Sequence, residues 1–118
     1  MPVILAAAGI ACIAASLYHG YLGQSRLIAP ATFPNRQAKE LVGMIWQFST
    51  ATWALCGAII ALSPWLFRDE VRPAIVICAC LPLGWGIIGN AWITRGQHFG
   101  WKIFVAIVAV AIAGAFVR

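Results

Sequence analysis

Five polar side chains stand out in an otherwise apolar chain: His19, Gln47, Asn90, Arg95 and His98. Histidine can donate, accept and change charge near neutral pH. Glutamine and asparagine carry both donors and acceptors, and arginine engages carboxylate or phosphate with a fork of donors. Such a set can hold a small ligand or a lipid headgroup, with Arg95 or Arg26 attracting an anionic part. The two histidines could alternatively ligate a b-type haem, which needs two axial ligands facing each other.

Catalytic and metal patterns are missing. There is no H-E-x-x-H, no nucleophile elbow and no phosphate-binding glycine loop. Ser16, Ser25, Ser49 and Ser63 lack an evident adjacent base. Cys12, Cys56, Cys78 and Cys80 all fall inside apolar runs, where they read as small buried residues rather than a disulfide framework. Cys78 and Cys80 are two apart, so on a helix they face nearly opposite ways and chelate poorly. The expectation is therefore a non-enzymatic protein with no metal and no cofactor, haem b being the alternative on His19 and His98. Glu40, Asp69 and Glu70 lie at segment ends or in loops, which argues against a cation-coupled exchanger.

Four apolar segments must position the polar groups, at about residues 3–22, 41–62, 71–93 and 98–117. Each is close to the roughly 17–25 residues that a spanning helix needs. Their apolar runs are continuous rather than alternating, and lipid permits only helices or closed barrels. The first segment lacks an early Lys or Arg and runs on past its small residues, so it reads as a membrane helix rather than a cleaved leader. Short connections make neighbouring helices antiparallel. The expected fold is all-α: one domain over residues 1–118, an integral membrane up-down four-helix bundle. Asn35 can cap an early start of the second helix. Pro82, followed by Gly84, Gly86 and Gly89, predicts a kink or loosened turn in the third. Small residues at fourth positions, such as Ala8, Cys12, Ser16 and Gly20, form ridges for close helix contact within one chain or between two.

Composition agrees. Of 118 residues, 63% are hydrophobic and 9% charged, against about 45–50% and about 25% in soluble domains. The net charge of +5 is scattered over loops and ends, which suits anionic lipid better than nucleic acid. Arg26, Arg36, Lys39, Arg95 and Lys102 fall on one side, and Arg68, Arg72 and Arg118 on the other. This bias places the connections 23–40 and 94–100 in the cytoplasm and both termini outside, which in a bacterial inner membrane is the periplasm. By depth, His19, Gln47, Asn90, Arg95 and His98 then share one leaflet, with Trp46, Trp92 and Trp101 around them.

The stretches "HGYLGQSRLI" and "TRGQHFGWKIF" resemble a loose group of short proteobacterial four-helix inner-membrane proteins. In that group the first helix ends in H-x-x-L-G, matched by His19, Leu22 and Gly23. An R-G-x-H-x-x-W stretch leads into the last helix, matched by Arg95, Gly96, His98 and Trp101. Gln24 stands where the group has an acid, and Gln47 follows Trp46 where it has histidine. One candidate ligand of any shared metal or haem site is thus absent. The resemblance implies a bacterial inner-membrane location, the architecture and the polar cluster, but no particular activity. The functions left open are a ligand- or headgroup-binding module, an accessory subunit of a larger membrane complex, a small oligomeric transporter or channel, and a haem-binding redox subunit. The expected partners are the bilayer and, in some of these readings, further copies of the chain or other subunits.

Overall fold

A computed structural model describes residues 2–117. Among them are four α-helices and no strand: α1 (Pro2–Leu22), α2 (Arg36–Leu66), α3 (Arg72–Ile93) and α4 (Gly100–Phe116). Each packs on the next in chain order, and α4 returns to α1, so the helices form a closed square. The α1–α2 interface is the most extensive. Gly9 lies against Ala61 and Gly57, Gly20 against Thr50, and Gly23 against Trp46, so α1 and α2 run antiparallel. Gly114 of α4 meets Ile4 and Leu5 at the start of α1, which makes α4 antiparallel to α1 as well.

Small and mid-sized residues fill the interior, while many of the largest apolar side chains face out. Ala8, Cys12, Cys56, Ala79, Cys80, Ala111 and Ala115 are buried, with Leu5, Ile60, Val76, Leu83, Phe104 and Ile107 between them. Phe48, Trp85, Trp92 and Ile93 are 73%, 80%, 83% and 81% exposed. A water-soluble bundle turns its largest apolar groups inward; this one gains close backbone approach instead. The α1 ridge of Ala8, Cys12, Ser16 and Gly20 is buried within the chain, against α2. Three helical stretches, Pro2–Ile28, Arg36–Leu66 and Arg72–Ile93, are long and apolar enough to cross a membrane; α4, at 17 residues, is shorter.

Several boundaries and details differ from the sequence expectation. The first helical stretch does not stop at residue 22. It continues as a π-helix over Gly23–Ile28, in which the Ala29 N–H reaches back five residues to the Gln24 carbonyl (2.9 Å). The second helix starts at Arg36 rather than 41, because the extended Asn35 accepts the Ala38 N–H on its side chain (2.8 Å) and an Arg36–Glu40 pair spans the first turn. It also runs on through Pro64 to Leu66. The fourth helix starts at Gly100 rather than 98. Helix α3 runs unbroken through Pro82, so the loosened turn lies in the first helical stretch instead. Cys78 is exposed, whereas Cys12, Cys56 and Cys80 are buried.

These lengths give the bundle uneven ends. Helix α2 has 31 residues and α3 has 22. At about 1.5 Å per residue, the α1–α2 hairpin overhangs the α3–α4 end by roughly 13 Å.

Candidate functional site

Three successive carbonyls just before the π turn, those of His19, Gly20 and Tyr21, accept side-chain donors. The Trp46 indole N–H reaches His19 (3.2 Å), the Gln47 amide reaches Gly20 (3.3 Å), and the Ser25 hydroxyl reaches Tyr21 (2.7 Å). Gln47 therefore ties α2 to the end of α1.

The half-buried His19 ring stacks on Trp46 at 4.4 Å and 12°, and leans on Trp53 at 4.7 Å and 44°. Trp53 meets Phe104 of α4 edge-on at 5.0 Å, and Gly86 of α3 leaves it room. The aromatic layer thus touches all four helices. Trp53 was not foreseen, although its spacing of seven from Trp46 puts both on one face of α2.

The other expected residues are spread out. Asn90 is half-buried; its side-chain oxygen is buried without a partner among the described residues, and its backbone carbonyl accepts the Thr94 hydroxyl (2.7 Å). Arg95 is exposed and holds a left-handed φ of 50°, next to Gly96 at 75°. Together they close α3, with the Gly96 N–H on the Ala91 carbonyl at 2.8 Å. His98 is exposed, and its Nδ1 accepts the Gly100 N–H (3.1 Å) at the start of α4. The structure thus brings His19 and Gln47 together on facing helices, but it does not gather the five residues into one concave pocket. The reason is local: Arg95 and His98 are engaged in ending one helix and starting the next.

A concave site exists, displaced toward the overhang. A cleft of about 470 Å³ lies between the π turn and the first turns of α2. Gln24 and Ile28 line it from the π turn. From α2 come Arg36, Lys39, Glu40, Gly43, Met44 and Gln47, the last being the one expected site residue in it. Arg36 Nε pairs with Glu40 (2.6 Å), and Lys39 Nζ donates to the Ala29 carbonyl (2.8 Å). An ammonium has three donors, so two of Lys39's remain for a ligand. Arg36, Lys39 and Glu40 fall in the 23–40 connection of the sequence expectation unless Asn35 caps an early helix start, as it does. The Asn35 cap was the signal that they form a helical wall.

A second cleft, of about 320 Å³, lies at the opposite end beside Asp69, Glu70, Arg72 and the end of α4. There the charges neutralise each other locally: Arg68 pairs with Glu70 (3.5 Å), and Arg72 with Asp69.

Among the described residues no three of His, Cys, Asp and Glu gather as a metal site would require. For haem, His98 already spends Nδ1 on Gly100, and neither histidine lines either cleft. Compared with protein-family models, with curated proteins and with solved structures, the chain shows no significant match.

Proposed function

We propose that this protein is a four-crossing membrane module that binds a small polar ligand or lipid headgroup in the cleft between the π turn and α2, without catalysing a reaction. The carrying observation is the cleft itself. It is a shallow, open groove of about 470 Å³, lined by Arg36, Lys39, Glu40, Gln24 and Gln47 and set where the α1–α2 hairpin overhangs its neighbours.

Membrane insertion is supported by the outward apolar residues and by where charge stops. No Asp, Glu, Lys or Arg occurs within 2–25, 41–67, 73–94 or 103–117. Charged groups in a bilayer core are costly, so charge-free stretches of this length suit hydrocarbon. The Lys and Arg excess beside the cleft supports a cytoplasmic position for it; the bacterial inner membrane rests on the resemblance of His19, Leu22, Gly23, Arg95, Gly96, His98 and Trp101 alone.

The test is lipid retention. Protein released from nanodiscs of mixed zwitterionic and anionic phospholipid is weighed by native mass spectrometry. Wild type should keep one more amphiphile than Met44→Trp, which fills the cleft at a residue already 64% exposed. Equal retention would contradict the reading.

A further inference from the structure

The cleft has a direction. Its outer part carries Arg36, Lys39 and Glu40, and its inner part carries Gly43 and Met44. Going deeper along α2, Met44, Phe48 and Leu55 form an exposed apolar track, 64%, 73% and 62% exposed. They are spaced four and seven apart, so they share one helix face. A polar head and an apolar track in line fit an amphiphile better than a free polar solute.

The sign of the head follows from charge placement. The cleft end of the bundle carries Arg26, Arg36, Lys39, Arg95 and Lys102 against Glu40 alone. Among the described residues the other end carries Arg68 and Arg72 against Asp69 and Glu70, and those are paired. Within the cleft Arg36 is engaged by Glu40, which leaves Lys39 as the cation in excess. Its ammonium is anchored on the Ala29 carbonyl, and its side chain is half-buried, so the charge is held in place rather than sweeping through solvent.

We propose that the ligand of this cleft is an anionic phospholipid, its phosphate held by Lys39 with hydrogen bonds from Gln24 and Gln47, and its acyl chain lying along Met44, Phe48 and Leu55. This rests on the binding reading above and adds the ligand class. A direct hydrogen bond between charged groups contributes roughly 1.5–3 kcal/mol, about tenfold or more in binding.

The experiment uses nanodiscs holding phosphatidylglycerol and phosphatidylcholine in equal amounts, with native mass spectrometry of the retained lipid. Wild type should retain phosphatidylglycerol in clear excess. Lys39→Gln should cut that preference about tenfold. Arg95→Gln, at the same end but outside the cleft, should leave it within twofold of wild type. An equal loss in both variants would show diffuse surface attraction and overturn the proposal. Loss of the retained lipid to millimolar inorganic phosphate would make the bare anion the ligand, and would overturn it too. Retention of both lipids without preference, still abolished by Met44→Trp, would sink the anionic assignment while leaving the cleft a binding site. Retention indifferent to Met44→Trp would sink both.

Discussion

The α1–α2 and α3–α4 hairpins are both apolar and rich in glycine, yet only in the first do glycines bring two helix backbones together; Gly114 of α4, like Gly86 of α3, meets side chains alone. On α1 and α2 the glycines are contacts: a Cβ on Gly9 would strike the backbone of Gly57 and Ala61, and one on Gly23 would strike the Trp46 ring. On α3, Gly84 and Gly89 face open space, and only Gly86 is close to a partner, Trp53. The difference teaches that close approach and hydrogen bonding, rather than apolar burial, distinguish the two halves. Lipid offers little hydrophobic drive for helices to associate, so backbone proximity and cross-helix hydrogen bonds carry more of the specificity. The hairpin with both is also the one that overhangs and forms the cleft.

The sharpest way to break this contrast is Gly9→Leu. The obstacle is backbone, which cannot swing aside, so the loss should be about 3 kcal/mol or more. It is read as a lowered unfolding midpoint in mild detergent. Retention of the wild-type midpoint would mean that α1 and α2 do not touch as described. A smaller effect is expected from Trp46→Phe, which keeps an aromatic ring on His19 but removes the donor to its carbonyl. One membrane hydrogen bond and part of a stacking contact amount to about 1 kcal/mol. The same substitution should quicken amide exchange over residues 19–28, since the π turn loses a tie; unchanged exchange there would separate Trp46 from the turn. The smallest effects belong to Gly84→Ala and Gly89→Ala. With space around both, helix propensity favours alanine, and stability should stay within about 0.5 kcal/mol or rise slightly. A large loss at either position would erase the distinction between the hairpins.

The architecture was legible because four long charge-free segments leave few alternatives, and because Asn35 announces its cap in the residue type alone. The site was only partly legible. Depth along a helix can be counted from sequence, so the meeting of His19 and Gly20 with Trp46 and Gln47 across α1 and α2 followed from antiparallel order. Lateral position cannot be counted in the same way. The π turn rotates everything after Gly23, and no composition cue marked it beyond glycine followed by Gln24 and Ser25. That rotation, together with five extra helical residues at Arg36–Glu40, moved the concave surface away from Asn90, Arg95 and His98 and toward Gln24 and Lys39.

The central claim is that the overhanging end of α1–α2 and the 94–99 connection share one face of a membrane, with the 67–71 connection on the other. Gln37→Cys, Gln97→Cys and Glu70→Cys, each introduced alone after Cys12, Cys56, Cys78 and Cys80 are replaced by alanine and labelled in intact cells with an impermeant maleimide, test it directly. The expected pattern is that positions 37 and 97 stay unlabelled until the cells are opened while position 70 reacts from outside. Reaction of 37 and 97 from opposite sides would contradict the four-crossing bundle and remove the basis for the cleft as a headgroup site.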